Sequence, residues 1–504
     1  MSHKPNPFDF VPFVEFGPSL YSLKEFVTSD KLMTGYLTVR IKALTPVHIV
    51  GDQDAAASAP LDTTQEKENY KIRKSSFFRR KGTAFIPSST IRGCLRSFIE
   101  AATNGWVSQF TPNYEQKSGN RKYGFKVDGT VQVQNQARFD PKIPSALNEK
   151  YILPLEVSDA IDVSSFLFGY TPEDGKARKG CVVIEDASLA DDSLDRGASY
   201  TVPDIIDQAF MGGPHPSASS WWYQYPHQIR LSKFNDSEGR PQVGVDFIGS
   251  GYRGRKFYFH QNPVECVKLY TIRENNWPTR NNHPLYTFSV ECLKPKSETD
   301  EFRIYFEEIP EQLLKILILA LTPGSPGTEQ GAPTLRHKIG YGKAYGYGSI
   351  EFIIAGGKIR GESIVPTEVG CIERLQNEVI SSLWDFNKLK EIGIVNYLHK
   401  ESLEALARIL WFDFSESTLF RYPPFADGGF LPVIRQSDLN PKLEPGQQNN
   451  LERFKLITVT RAAGKCLAQK LYTTGRRKAL HFEVYKENSD DYKKIQQRNL
   501  YICK

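Results

Sequence analysis

Apolar and polar residues alternate along residues 36–50, and this two-residue period predicts a half-buried β-strand. Residues 180–187 form a short, mainly apolar run that predicts a buried strand. Two alternating segments lie within residues 285–305, and residues 349–354 predict a further strand directly after a glycine-rich run. The pattern therefore predicts several strands that are far apart along the chain.

Helical periods fall between these strands. Residues 91–102 carry apolar side chains at helical spacing, and residues 310–321 predict a strongly apolar helix that begins at a proline. Residues 368–389 and 400–410 predict two more helices. Because strands and helices interleave without regular βα units, we expect an α+β fold with large insertions.

Composition shifts divide the chain into four expected regions. These are an N-terminal arm (1–34), a core (35–355) with insertions at about 103–150 and 190–300, a mainly helical segment (365–435) and a basic C-terminal extension (436–504).

Bulk composition narrows the function classes only slightly. The 504 residues carry a formal net charge of +6, which does not discriminate between partners without knowledge of its distribution. Seven scattered cysteines without CxxC spacing indicate reduced thiols and argue against a zinc finger. The N-terminus lacks the pattern of a signal peptide, and the longest apolar run, residues 316–321, is too short to span a bilayer. We therefore expect a cytoplasmic protein without membrane contact.

The glycine-rich run HKIGYGKAYGYG at residues 337–348 is the most distinctive segment. Its four glycines allow close approach of the backbone to a polyanion, its lysines add charge, and its tyrosines offer faces on which bases can stack. It matches neither a Walker A loop nor a Rossmann turn. A tight glycine-rich turn that only packs well explains the same residues equally. The RNA-binding candidates in this run are His337, Lys338, Lys343, Tyr345 and Tyr347.

A helix start at residues 85–96 is the second candidate. Ser88, Ser89 and Thr90 precede the helical period, and a helix N-terminus with exposed N–H groups favours phosphate. Arg92 and Arg96 are four residues apart, so they share one helix face and offer two guanidinium forks. The alternative is a capped amphipathic helix with solvated arginines.

A basic cluster at Arg253, Arg255 and Lys256 is the third candidate, because aromatic residues follow it directly. A similar cluster lies at residues 79–81, after two phenylalanines. Solvated surface is the alternative for both.

Catalytic signals are sparse. The long polar loop at residues 51–69 holds Asp52, Asp54 and Asp62, and a carboxylate beside bound RNA can position a divalent metal (Mg or Mn) for strand cleavage. Ordinary loop acids are the alternative. The nine histidines show no metal-ligand spacing, and we expect no tightly bound cofactor.

Four segments in chain order together resemble the RAMP superfamily of CRISPR effector subunits, specifically the backbone subunits of type III systems. FIPSSTIRGCLRSFIEA (85–101) resembles the family's IPGSSLKGxLR helix start, with Ser88 where glycine is common. The pair SSFLFGY (164–170) and GCVVIEDASL (180–189) resembles IFG…RVxxxDA. SGYRGRKFYFHQ (250–261) resembles a segment of large members, and HKIGYGKAYGYGSIEF (337–352) resembles the terminal loop LGxGKxxGxGxV. The resemblance covers roughly residues 35–355.

The resemblance implies an RRM-like (ferredoxin-like) βαββαβ core with a thumb-like insertion, bound to crRNA and target RNA beside other CRISPR effector subunits. The leading hypothesis is a crRNA-binding backbone subunit. In some members an aspartate after the first strand cleaves target RNA, so an endoribonuclease is the alternative, although the family's glycine-glycine spacing before the acid is missing here. A guide-processing ribonuclease that uses His48 or His337, and a scaffold without RNA contact, are further alternatives.

Overall fold

The computed structural model describes a set of ranges, and the fold and site below are built from them. They are residues 7–14, 17–29, 31–53, 73–108, 116–118, 121–123, 131–132, 151, 153–154, 156–172, 176–190, 193–204, 229–235, 241–247, 254–264, 266, 286–324, 334–360, 370–382, 385–412, 465–474 and 477–486.

The strands and helices have the following bounds in chain order. The strands are β1 (Phe8–Val11), β2 (Tyr21–Ser22), β3 (Leu32–Ala43), β4 (Val50–Gln53), β5 (Arg73–Phe77), β6 (Arg79–Arg80), β7 (Thr83–Ile86), β8 (Gln116–Ser118), β9 (Arg121–Tyr123), β10 (Val131–Gln132), β11 (Ala160–Ile161), β12 (Val182–Ile184), β13 (Ala187–Ser188), β14 (Leu194–Asp204), β15 (Ile229–Asn235), β16 (Pro241–Phe247), β17 (Arg255–Tyr258), β18 (Tyr286–Leu293), β19 (Phe302–Pro310), β20 (His337–Lys338), β21 (Ser349–Ile359), β22 (Lys465–Thr474) and β23 (Arg477–Lys486). The helices are α1 (Leu23–Val27), α2 (Ser88–Ala102), α3 (Val163–Phe168), α4 (Glu311–Leu321), α5 (Cys371–Ser381), α6 (Phe386–Glu391) and α7 (Lys400–Ile409).

The central sheet has five antiparallel strands in the order β12-β19-β3-β21-β20. Strand β3 buries alternate side chains, because successive residues of a strand point to opposite faces: Leu37, Val39, Ile41 and Ala43. Helix α4 packs on β3, β19 and β21, while α2 packs on β12 and on α4. Both helices bury their apolar sides in the core that these strands form.

The order of these elements along the chain is β3, α2, β12, β19, α4 and β21, with short strands and insertions between them. In the sheet, the four long strands lie side by side in the order β12, β19, β3 and β21. Numbered by their position along the chain, this order is second, third, first and fourth. The expected mixture of strands and helices is therefore confirmed.

The first predicted strand is displaced relative to its prediction. We expected residues 36–50, whereas β3 covers residues 32–43. Leu44 still donates its N–H to the carbonyl of Ser349 at 2.9 Å, but Pro46 has no N–H with which to continue a ladder. The chain therefore leaves the sheet before residue 46, and only residues 50–53 form the next strand.

The predicted helix over residues 368–389 is interrupted. The structure has α5 and α6 instead, because the chain is re-capped between them. The Asp385 carboxylate accepts hydrogen bonds from the N–H groups of Asn387 and Lys388, at 2.9 and 3.4 Å, and so starts a new helix.

The described part of the N-terminal arm packs on the core. Strand β1 pairs antiparallel with β17, and Phe26 of α1 lies in the main core. Within the described ranges, no helix has the length and apolar character needed to cross a membrane.

Candidate nucleic-acid interface

The glycine-rich run is a closed turn between β20 and β21. All four of its glycines have positive φ angles: Gly340, Gly342, Gly346 and Gly348. Gly348 shows why this matters, since its φ is +79° and a Cβ there would clash with the carbonyl oxygen of Ile339. The turn geometry by itself requires glycine at this position.

The turn is held against the core by its own polar groups. The N–H groups of Tyr341 and Gly348 donate to the carbonyls of His48 and Pro46, at 2.9 and 2.8 Å. The Lys338 ammonium donates to two carbonyls of the turn, 2.8 Å to Lys343 and 3.1 Å to Tyr347. The charge of Lys338 is therefore used inside the turn.

Three other candidates of this run are buried. Tyr345, Tyr347 and His337 expose 0%, 3% and 3% of their surface. The His337 ring lies 2.6 Å from the carbonyl of Ala320, and burial lowers its pKa to about 4. Their assignment as RNA-binding residues stays a prediction, but in this conformation their contacts are internal. Lys343 is partly exposed, and its described ammonium contact is with the ring of Tyr258 and not with a carbonyl of the turn.

The N-terminus of α2 is occupied by a carboxylate. Helix α2 begins at Ser88, three residues before the predicted start, so Ser88, Ser89 and Thr90 form its first turn. The N–H of Ser88 donates to Asp186 at 2.7 Å, and Arg80 pairs with the same carboxylate at 3.1 Å. A phosphate at this end of the helix would meet the negative charge of Asp186.

The solvent-facing strip of α2 is built of small residues. Ser89 and Gly93 are exposed and Ser97 is half-buried, and their spacing of four residues places them on one face. The Ser97 hydroxyl donates to the carbonyl of Gly93 at 2.8 Å. Among the described residues, no atom outside the helix backbone and the chain neighbours of Gly93 lies within 4 Å of where its Cβ would be.

This open space makes the glycine informative. A glycine in a helix interior costs about 1 kcal/mol relative to alanine. The described packing gives no compensating reason for it, in contrast to Gly348. A glycine at an exposed helix position is explained if another backbone approaches the helix there.

One flank of the strip carries Lys343. Its ammonium lies 5.6 Å from the ring centroid of Tyr258. Burial raises the pKa of the neighbouring Cys94 to about 12, and the positive charge of Lys343 acts against that rise. Cys94 follows Gly93 by one residue, about 100° around the helix, so the charge of Lys343 acts on this side of the strip.

The opposite flank carries Arg92 and Arg96. Arg96 pairs with the buried carboxylate of Glu100 at 2.9 Å. Burial raises the pKa of Glu100, and the positive charge of Arg96 acts against that rise. Within the described part of the chain, Arg92 Nε and Arg96 Nη2 have no hydrogen-bond partner. The two arginines therefore retain hydrogen-bonding capacity beside the strip.

A cleft of about 490 Å³ opens next to these arginines. Its described lining contains four cationic side chains and no Asp or Glu: Arg92, Arg96, Ser108, Leu153, Phe168, Gly169, Tyr170, Thr171, Arg178, Lys179, Gly180, Val182 and Val183. We name it the arginine cleft. Sequence reasoning missed Arg178 and Lys179, because they belong to a polar loop with no pattern of its own.

Glycines create the far wall of the arginine cleft. A Cβ on Gly180 would clash with the backbone of Phe168 and Gly169, so the two segments approach more closely than side chains allow. Tyr170 and Arg178 form an antiparallel bridge at this approach. The signal in the sequence is the glycine pair at 169 and 180, which lies within the motifs SSFLFGY and GCVVIEDASL.

The third basic cluster is placed differently. Arg255 is buried, donates to the carbonyl of Gly105 and stacks 4.8 Å from the Phe13 ring centroid, and burial lowers its pKa. Lys256 lies 4.0 Å from the ring centroid of Phe8. Arg253 lies outside the described residues. The described part of this cluster thus ties the N-terminal arm to the core.

Among the described residues, the two tyrosines on the sheet face opposite the helices are already engaged by other side chains. Tyr36 and Tyr305 are neighbours there, with ring centroids 6.0 Å apart. The Arg303 guanidinium covers Tyr36 at 4.9 Å, and Tyr305 donates its hydroxyl proton to Glu185 at 2.9 Å. RRM domains stack bases on aromatic rings of such a face. Here the Arg303 guanidinium already covers the Tyr36 ring, and the Glu185 carboxylate lies beside Tyr305.

The side chains of the three proposed catalytic aspartates lie outside the described part of the structure. Asp54 and Asp62 lie outside the described residues, and of Asp52 only the backbone is described, in β4. Within the described ranges, no group of three His, Cys, Asp or Glu residues is arranged to hold a metal ion. The nuclease alternative stays a prediction, tested by replacing the three aspartates with alanine in a reconstituted complex.

The histidines of the guide-processing alternative are buried. His48 lies 2.7 Å from the carbonyl of Glu291 and 2.9 Å from the Ser75 hydroxyl, and burial lowers its pKa. Its ring, like that of His337, is engaged inside the fold. This placement weighs against an acid–base role on RNA for either residue.

The fold mixes strands and helices, and its candidate interface is a helix face of small residues with cations beside it. The family model of the RAMP superfamily matches residues 40–351, which is more than half of the chain. The chain therefore belongs to the RAMP superfamily, as its four motifs indicated. RAMP proteins bind RNA and form CRISPR complexes. No curated protein sequence matches the chain.

Proposed function

We propose that this chain is a crRNA-binding backbone subunit of a type III CRISPR ribonucleoprotein that holds the guide and its target duplex. Its partners would be crRNA, target RNA and other effector subunits. The exposed strip of α2 carries the proposal, because cations border it on both sides and an unexplained glycine lies at its centre.

The physical basis is backbone recognition. Lys343 on one flank and Arg92 on the other neutralise phosphates without reading bases, which is what a subunit that accepts any guide requires. Gly93 lets the ribose-phosphate chain approach the helix between them. Ser89 and Ser97 add hydroxyl groups along the same line.

The fold is consistent with this role. We propose that β3, α2, β12, β19, α4 and β21 constitute the ferredoxin-like core expected of an RRM-like protein. The strand order in the sheet, second-third-first-fourth, and the two helices on one face support this assignment. RNA on α2 would then lie beside the sheet and not on its open face.

The test is the identity of the RNA that accompanies the protein. The full chain would be co-expressed with a repeat–spacer array and its neighbouring effector subunits, purified through a tag on this chain, and the bound RNA sequenced. We expect strong enrichment of repeat-derived guides. RNA that reflects total cellular abundance, or a purified complex without RNA, would contradict the proposal.

A further inference from the structure

We propose that the arginine cleft binds a single nucleotide of RNA, with its phosphate on the guanidinium groups and its ribose and base over the apolar floor. This inference rests on the proposed function, since the nucleotide belongs to the RNA that crosses α2. It adds Arg178 and Lys179 to the binding residues.

The charge distribution of the cleft favours an anion. Arg92, Arg96, Arg178 and Lys179 line it, and its described lining includes no carboxylate. Two of the four cations have carboxylate partners: Arg96 pairs with buried Glu100 at 2.9 Å, and Lys179 lies 4.0 Å from Glu307 in a highly exposed pair. The described contacts of Arg92 and Arg178 include no carboxylate. Four cations around one cleft repel each other, and a bound phosphate would relieve that repulsion.

Buried guanidinium nitrogens without a hydrogen-bond partner also favour an anionic ligand. The described contacts provide no hydrogen-bond partner for Arg92 Nε, Arg96 Nη2 or Arg178 Nε, although these atoms are buried. Leaving a buried donor unpaired is unfavourable, and native proteins leave few of them. Small rotations of the guanidinium groups towards a phosphate would pair these donors, because arginine forks match phosphate geometry.

The size and floor of the cleft indicate more than a phosphate ion. Its volume of about 490 Å³ lies within the range of roughly 300–1,000 Å³ typical of small-molecule sites. Leu153, Phe168, Tyr170 and Val182 line the cleft with 5% or less of their surface exposed, and Val183, 49% exposed, adds accessible apolar surface. A nucleotide combines an anionic group with a flat, largely apolar base, and therefore matches both parts.

The position of the cleft connects it to the strip on α2. Arg92 and Arg96 border the strip on one side and line the cleft on the other. A strand that crosses Gly93 from Lys343 would reach the mouth of the cleft next. One nucleotide would enter the cleft at this mouth, while the rest of the RNA strand continues past it.

The experiment is photocrosslinking of 4-thiouridine-substituted single-stranded RNA to the full-length chain, with the crosslinked peptides mapped by mass spectrometry. We expect crosslinks in peptides that contain residues 168–171 or 178–183. Crosslinks confined to α2 and the glycine-rich turn would overturn the cleft and leave the proposed function standing. A chain that binds no RNA would overturn the proposed function itself.

Matched variants give a second readout. Arg178→Gln removes one cation from the cleft, and Arg360→Gln removes one exposed cation at the end of β21. We expect RNA affinity about tenfold weaker for the first and nearly unchanged for the second. Equal affinities for both variants would contradict the proposal that the arginine cleft binds RNA.

Competition separates a nucleotide from a simple anion. AMP should displace the RNA from the cleft, measured as loss of the cleft crosslinks, at much lower concentration than inorganic phosphate or polyglutamate. Equal potency of phosphate or polyglutamate would overturn the nucleotide assignment.

Discussion

The glycine-rich turn lies on one flank of α2 and the arginine cleft on the other, and the two regions use their cations differently. In the turn, the ammonium of Lys338 donates to two carbonyls, and Tyr345 and Tyr347 are buried. In the cleft, guanidinium nitrogens of three arginines have no partner among the described residues. Similar residue types thus stabilise a turn in one place and remain available to a ligand in the other.

The largest expected effect separates a structural arginine from a binding arginine within the same cleft. Arg96→Met would leave the buried carboxylate of Glu100 without its ion-pair partner and lower the free energy of unfolding by about 3 kcal/mol. Arg92→Met is the matched control and should change stability by less than about 0.5 kcal/mol. Urea unfolding of both variants measures the difference. Equal stabilities would show that the Arg96–Glu100 pair is not structurally important.

The next effect concerns the pH response of the turn. Unfolded His337 titrates at its ordinary pKa of 6.5, whereas burial lowers its folded pKa to about 4. The unfolded state therefore binds more protons between pH 6.5 and 4, and stability falls as the pH is lowered through this window. Between pH 7 and 5 the loss from this group is on the order of 2 kcal/mol.

His337→Gln removes the titration and retains a hydrogen-bond donor towards Ala320. Its free energy of unfolding should depend less on pH than that of the unmodified protein. An identical pH dependence for the two proteins would place the acid sensitivity elsewhere.

A smaller effect distinguishes the two lysines of the turn. Lys338→Met deletes two internal hydrogen bonds and should cost about 1–2 kcal/mol of stability. Lys343→Met should leave stability nearly unchanged, weaken RNA binding and reduce the slope of log affinity against log salt by about 1. Fluorescence anisotropy at several salt concentrations checks this. A reversed pattern would mean that Lys338 and not Lys343 contacts RNA.

Much of the core could be predicted from the sequence, because periodicity reports burial directly. Helices α2 and α4 and strand β21 lie close to their predicted positions. The end of β3 was misplaced because the alternation continues past Pro46, whereas the chain leaves β21 there and Val47 pairs with Leu293 instead. The alternation of side chains does not show that the strand changes its pairing partner after Pro46.

The site was predicted less completely, for a related reason. Residue type identified Arg92, Arg96 and Lys343 but did not show that Tyr345 and His337 are buried. It also missed Arg178, whose place beside Arg92 depends on a tertiary approach through Gly180. A cation's availability depends on what the fold places around it, which composition does not encode.

Gly93→Ala tests the central claim most directly, that RNA crosses α2 between the two cationic flanks. Alanine replaces an exposed helix glycine that has open space around it, so the free energy of unfolding should rise by about 1 kcal/mol. The added methyl group would occupy the path of the RNA backbone, so affinity for single-stranded RNA should fall by about tenfold. Greater stability together with weaker binding is the predicted result. Greater stability with unchanged RNA affinity would contradict the account.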